Sequence, residues 1–577
     1  MQHVRSLRRT VLLTLSLLSA CAAADPASVA GDARGPYGPA TRLNVPGVAA
    51  AFLSGRFAAS QNDVGYAADE FLRALQADPG NVELRQQAFL TSLLAGRPEA
   101  VRLAALQSDN QAAQLLLADS DAKAGRWEQA ENRFAALPRQ GLMQLLQPLL
   151  VAWAQAGQGR TDAALATLAP LVQGQHFRAM YALHAALIAD LGKRTAEAAR
   201  LYRVAQSEFG STNLQLGRLL ASWQARQGFP DDARETLKAV GDNSPEMIIA
   251  LPALQMAVAA RQVRNPVDGI AEAYLALAAA LRSQDAAEFS VVLLQLALDL
   301  RPDLTAARLL SAEIQETRNN PEGALAVLSP VPASDPLYAM VRLRQAALTD
   351  RLGNTTEALH MLDQLAKEFP TRPDPLTLQG DLLRSKRRFA EAVVAYDHAV
   401  ALVANPTRVN WPLFYNRGIA LDRAHQWARA EADFLKALEL FPDQPFVLNY
   451  LGYSWTEQGR NLTRARQMIE RAAELRPNDG EIADSLGWVV LRQGDVRGAV
   501  KYLERAVELE PEDATINAHL GDAYWAAGRK LEAQYQWRRS LNLKPEPEEV
   551  SKLQAKLREG DQTQHSGSSA VGEKTVQ

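Results

Sequence analysis

Residues 480–513 read GEIADSLGWVVLRQGDVRGAVKYLERAVELEPED, and their spacing decides the fold. Gly487 is followed twelve residues later by Ala499, seven later by Ala506 and five later by Pro511. The same ruler fits Gly418, Ala430, Ala437 and Pro442, and also Gly521, Ala533, Ser540 and Pro545. It fits Gly452, Ala465, Ala472 and Pro477 with one extra residue in the turn Gly459–Leu462. Each mark has a mechanical meaning. Ile482 to Gln493 carries helical apolar spacing in Ala483, Leu486, Val490 and Leu491. Gly494 closes that helix, and Val496 to Leu509 forms a second. Gly487 and Ala499 are small where two helices cross, and Ala506 is small where the second meets the next repeat. Pro511 cannot continue a helix, and Asp513 can cap the next one. One such hairpin cannot cover its own apolar faces, so it stacks on neighbours.

A period of about 34 residues with these marks resembles the tetratricopeptide repeat (TPR) superfamily. The resemblance implies an all-α superhelical solenoid of helix-turn-helix repeats. It covers residues 48–546, is strong from 373 to 546 and weak from 81 to 240. Gly55, Ala67, Ala74 and Pro79 open the array, with Phe71 on the inner face of the second helix. Alanine pairs then carry the ruler: Ala88/Ala100, Ala118/Ala130, Ala152/Ala164, Ala186/Ala198 and Ala221/Ala233. Phe134, Leu168, Tyr202 and Leu237 take the slot of Phe71. The ruler breaks across 242–270, which reads as an irregular helical joint or, equally, as a degenerate hairpin. Within it, Met247 to Val263 is helical in pattern. The array resumes over 271–546, giving about fourteen repeats, with a lengthened connection at Val403–Asn410. A charged closing helix is expected at 547–559 and a disordered tail at 560–577.

The 577 residues are 47% hydrophobic and 22% charged, ordinary for a globular protein. The N-terminus reads as a signal peptide over 1–20, with Arg5, Arg8 and Arg9 ahead of the apolar run Val11–Leu18. Leu18-Ser19-Ala20-Cys21 then resembles the bacterial lipobox, which implies lipidation of Cys21, the sole cysteine. Ala22 in place of aspartate implies outer-membrane delivery, lipid-anchored and facing the periplasm. Residues 21–47, rich in Ala, Pro and Gly, read as a flexible tether spanning on the order of 30 Å. Removing residues 1–20 leaves 59 basic against 65 acidic residues, a charge of −6. Nothing in that balance favours nucleic acid.

Signals for catalysis are thin. The eight histidines form no His-Glu-x-x-His motif or metal cluster, and no Gly-x-Ser-x-Gly elbow occurs. No metal, cofactor, small-molecule substrate or enzymatic activity is expected. The family resemblance instead places groove-lining residues on the first helix of each repeat. Mapped here, these include Asp381, Arg384, Tyr415, Asp422, Arg423, Asn449, Tyr453, Asp484, Trp488, Arg492, Asp522 and Trp525. Aromatics interleaved with Arg, Asn and Asp suit capture of an extended peptide or a partner helix. The same rings equally suit packing within the array, as expected of Trp455 and Tyr524. The family's aromatic four residues before the glycine survives at Phe414 but not at Leu448, Ala483 or Asn517. Binding therefore does not transfer from better-matched members.

The expected function is a membrane-anchored scaffold for envelope proteins. It resembles lipoprotein adaptors that bring peptidoglycan hydrolases to a carboxy-terminal processing protease. Assembly of pili, secretion or polysaccharide-export machinery, and glycan binding along the aromatics, are the alternatives.

Overall fold

A computed structural model describes residues 47–209, 213–281 and 287–569. The expected signal peptide, Cys21 and all but the last residue of the tether lie outside these residues, as does 570–577. Among the described residues there is no strand, and helices pair into fourteen antiparallel hairpins from Val48 to Asn542. No helix among them is long and apolar enough to cross a membrane.

The ruler's marks sit where the spacing placed them. At Gly418, Gly380 and Gly521 the first helix lies directly against Phe434, Tyr396 and Trp537 of its own second helix, with no room for a Cβ. Phe71, Phe134, Leu168, Tyr202 and Leu237 fill that slot in the earlier repeats and are buried. Gly494 turns the chain at φ +91°, a left-handed conformation that glycine adopts without steric cost. Asp479, Asp495 and Asp513 each accept a backbone N–H of the following helix, from Ile482 at 3.2 Å, Gly498 at 2.9 Å and Ile516 at 2.8 Å. Such caps contribute about 1 kcal/mol each.

The segment 242–270 is irregular, as its broken ruler suggested, but less helical than its pattern. A 3-10 turn spans Pro245–Ala250 and a short helix Leu251–Met256, and residues 257–265 are not helical. Pro252 interrupts the run, and Pro245 and Pro266 bound it. At the other end, the closing helix runs Pro547–Ser569, beyond the expected stop at 559. A helix already nucleated on a buried face extends at one hydrogen bond per residue fixed, which low hydrophobicity alone does not forbid.

The chain divides into two compact units between Met361 and Leu362, not at 242–270. The reason is tertiary. The hairpin formed by Pro266–Leu281 and Ala287–Leu300 does not simply extend the row. Its two helices pack back onto the first helices Val82–Leu94, Gln111–Lys123, Met143–Gly157 and Arg178–Leu191. These helices line the inner face of the N-terminal repeats, so the trough of the first unit holds a hairpin of its own chain. The expected joint thus serves as the return of the chain into that trough.

Candidate functional site

The inserted hairpin shows which positions of a first helix meet an occupant. Trp153, the residue after Ala152, lies against Gly269 so closely that a Cβ there would overlap the indole. Asp119, the residue after Ala118, receives the Tyr274 hydroxyl at 2.9 Å and 3.0 Å. Burial pushes the Asp119 carboxyl well up, an effect the Tyr274 hydrogen bond opposes. His184 accepts the Trp153 indole N–H at 3.1 Å. Glu272, fully buried, is bound by Arg218, by Arg301 at 3.1 Å and by the Gln215 amide at 3.0 Å. Burial drives the Glu272 carboxyl up, and the two guanidinium groups more than reverse this. Pairing on several sides offsets the cost of burying the carboxylate charge.

Among the described residues of the second unit, no hairpin packs back over the inner face, which the closing helix Pro547–Ser569 flanks through Lys552 and Lys556. Its first helices are Asp374–Ser385, Trp411–Arg423, Pro445–Glu457, Gly480–Arg492 and Ala514–Ala526. The residues expected to line it fall into two patches and an end. In one patch, Trp488 is half-buried and stacks on His519 with centroids 4.1 Å apart, and Tyr453 lies 6.3 Å from the same ring. The Trp488 N–H donates to Glu457 at 2.5 Å, and the Arg492 guanidinium lies 5.9 Å from the indole centroid. Asp484 is buried, with its oxygens 2.9 Å and 3.0 Å from His519 Nδ1. Burial opposes a charge on His519, but Asp484 more than compensates and holds the imidazole pKa above its ordinary value. Burial, with Glu457 and Asp484 next, pushes the Tyr453 hydroxyl far up.

The other patch gathers Arg384 and Tyr415. Tyr415 belongs to a ring cluster with Trp411, Phe434 and Tyr450, at centroid distances of 5.9 to 6.1 Å. The Arg384 Nε reaches the Tyr396 hydroxyl at 3.4 Å. Asp381 accepts from Tyr396 at 2.6 Å and from Asn416 at 2.9 Å, and Asp422 accepts from Tyr450 at 2.9 Å. Arg423 is exposed over the Phe389 ring, 5.5 Å away. Between the patches, the half-buried Asn449 has a carboxamide oxygen without a hydrogen-bond partner among the described residues. At the end of the unit, Trp525 packs on Trp537 at 5.2 Å beneath the Lys530 ammonium. There Asp522 is taken by Lys556 at 2.7 Å and by the Trp537 N–H at 2.9 Å.

Several expected contact residues are therefore engaged inside the unit. Asp484, Asp522 and Tyr415 are engaged by His519, Lys556 and Tyr450 of the following helices, and Trp525 packs on Trp537 of its own hairpin. Trp455, 1% exposed, and Tyr524, 7% exposed, are packing residues as expected. Tyr453, Trp488 and Arg492 come together, with Asn449 on the neighbouring turn of the Tyr453 helix. Sequence reading missed His519. Its signal was the interval of 31 residues from Trp153 to His184, which recurs from Trp488 to His519.

Among the described residues, no three His, Cys, Asp or Glu side chains are placed to hold a metal ion. A family model described as tetratricopeptide repeat matches residues 30–82, 415–480 and 485–539. A second, described as tetratricopeptide repeat-like domain, matches 260–410, inserted hairpin included. Together they span more than half of the chain. The TPR repeat-containing protein PA4667 of Pseudomonas aeruginosa is 30% identical over 172 residues, which is 30% of this chain and 28% of that protein's length. Among solved structures, the APC/C hetero-tetramer Cut9-Hcn1 contains a chain 15% identical, covering 90% of this chain and 97% of its own, at TM-score 0.39. Yeast Tom70 is 14% identical, covering 90% of this chain and 96% of its own, at TM-score 0.32.

Proposed function

The chain belongs to the tetratricopeptide repeat superfamily, and we propose that it is a scaffold that binds a partner polypeptide on the inner face of its second unit. One observation carries this reading. Equivalent inner-face positions are covered by a hairpin in the first unit, while in the second they present Tyr453, Trp488 and Arg492 with no hairpin over them among the described residues of that unit. Half-buried aromatics beside a guanidinium and a carboxamide oxygen without a partner among the described residues combine apolar area with directional hydrogen bonding, which suits a polypeptide ligand.

The finer reading is a lipid-anchored adaptor of the bacterial envelope. The sequence Leu18-Ser19-Ala20-Cys21 supports the anchor, and Ala22 supports placement at the outer membrane. The partner in this reading is a carboxy-terminal processing protease or the peptidoglycan hydrolases delivered to it. Crosslinking in cells followed by mass spectrometry tests it, comparing wild type with the double variant Tyr453→Ala/Trp488→Ala. A prominent envelope partner lost in the variant supports the groove. A partner pattern identical in both proteins rejects it, and recovery of no protease or wall enzyme rejects the adaptor role.

A further inference from the structure

We propose, resting on the groove reading above, that the Trp488–His519 site receives an amphipathic α-helix of a partner protein, with glycine or alanine at the crossing and basic side chains beside it. The first observation is an internal duplication. Trp153 follows the small residue Ala152, and His184 stands two residues before Ala186. Trp488 follows Gly487, and His519 stands two residues before Gly521. In each unit the indole of one first helix meets the imidazole of the next, edge to face at 6.1 Å in the first and stacked at 4.1 Å in the second.

The second observation is that the first of these pairs is occupied. The helix Pro266–Leu281 crosses it at Gly269, and both rings are fully buried, at 0% exposure. Only a residue without a side chain allows that approach. The molecule thus displays the kind of ligand a Trp–His pair on adjacent first helices accepts: a helix with a small residue at the crossing, its apolar face to the array. In the second unit the closing helix Pro547–Ser569 flanks the corresponding pair, with Lys556 on Asp522 and Lys552 and Glu549 near Glu457 and Tyr453, and Trp488 stays half-buried.

Charge chooses between partners. The inserted helix is acidic at Asp268 and Glu272, and Arg218 of the host meets Glu272. The surroundings of Trp488 have the opposite sign. Exposed Glu457 takes the indole N–H, Asp484 and Asp522 stand on the adjoining turns, and Glu481 is exposed one helical turn from Asp484. His519 and Lys556 engage Asp484 and Asp522, so the charge left for a partner is that of Glu457, Glu481 and Glu549 against Arg492 and Lys552. Partial burial of its carboxyl first, then Glu510, Asp479 and Asp513, push Glu481 up. A second copy of the chain's own helix would bring Asp268 and Glu272 against these carboxylates, so a basic helix of another protein is the fitting occupant.

The test is calorimetric titration of the full chain with hydrocarbon-stapled peptides of sequence 266–281 carrying Asp268→Lys and Glu272→Lys. This peptide should bind, and Trp488→Ala should weaken it at least tenfold while the circular dichroism spectrum is retained. Glu457→Gln/Glu481→Gln, which removes two charges and keeps an acceptor for the Trp488 N–H, should weaken it several-fold. A stapled peptide also carrying Gly269→Val should lose binding. Equal affinity for an unstapled peptide broken by Leu275→Pro would overturn the helix proposal, as would indifference to both Trp488→Ala and the glutamine pair. If no peptide binds but cellular crosslinking still depends on Tyr453 and Trp488, the helix proposal falls and the groove stands. If that dependence is also absent, both fall.

Discussion

Gly269 lies flat on the indole of Trp153, with no space for a methyl group between them. This contact joins two stretches far apart in sequence and seats the hairpin 266–300 in the trough of the first unit. Gly269→Val forces the two helices apart. Overpacking of this kind costs about 1–3 kcal/mol. Hydrogen exchange should quicken across 266–281 and in the facing helix Met143–Gly157, with the helix Lys530–Asn542 unchanged. Unaltered protection at 266–281 would mean that the contact does not hold the hairpin.

Glu272 and its two guanidinium partners make the second anchor. Replacing it by alanine leaves Arg218 buried without its counter-charge and Arg301 with Asp303 alone, a loss of about 3–5 kcal/mol. Glu272→Gln keeps the size and part of the hydrogen bonding, so its cost should be smaller. Because the folded carboxyl titrates below its ordinary 4.5, the stabilisation is present above that value and disappears as pH falls through the folded pKa. Urea unfolding of the wild type and both variants at neutral and acidic pH checks the order, and the variants should converge on the wild type in acid.

The two tryptophan-bound histidines should respond to pH with opposite sign. Burial lowers the His184 pKa from 6.5 to about 4. The unfolded chain takes up that proton first, so stability is full above pH 6.5 and falls towards pH 4, by about 2 kcal/mol over the first one and a half pH units. Asp484 raises His519 above 6.5, so its contribution is full below pH 6.5 and is lost as pH rises through the folded value. Hydrogen exchange at about pH 5 and about pH 8 reads both. The helix Arg178–Leu191 should loosen in acid, and less so in His184→Asn. The helix Ala514–Ala526 should loosen in base, and less so in His519→Asn. Parallel behaviour of the two helices would contradict these assignments.

The anchor reading has its own measurement. Cys21→Ser removes the only thiol of the chain. Fractionation should move the protein from the membrane pellet to the soluble fraction, and incorporation of labelled palmitate should cease. Membrane retention of the serine variant would exclude lipidation as the attachment, since several acyl chains supply far more buried CH2 than one.

The repeat architecture was determined by local chemistry. Gly487, Ala499, Ala506, Pro511 and Asp513 each answer a requirement inside one hairpin or at its junction with the next, and such requirements recur at fixed spacing. The cap at Asp513, the aromatic slot of Phe71 and Phe134, and the first-helix surface carrying Tyr453 and Trp488 followed from that ruler. What the ruler left open was where the hairpin 266–300 goes. Its apolar faces are those of any repeat, and its destination depends on Gly269 meeting Trp153, Tyr274 meeting Asp119 and Glu272 meeting Arg218, pairs separated by 54 to 155 residues where a hydrogen bond joins them. Side chains such as Asp484 and Asp522 likewise look available along one helix and are engaged by His519 and Lys556 from the next. Period fixes which face a residue occupies. Only packing between distant segments decides whether that face is already filled.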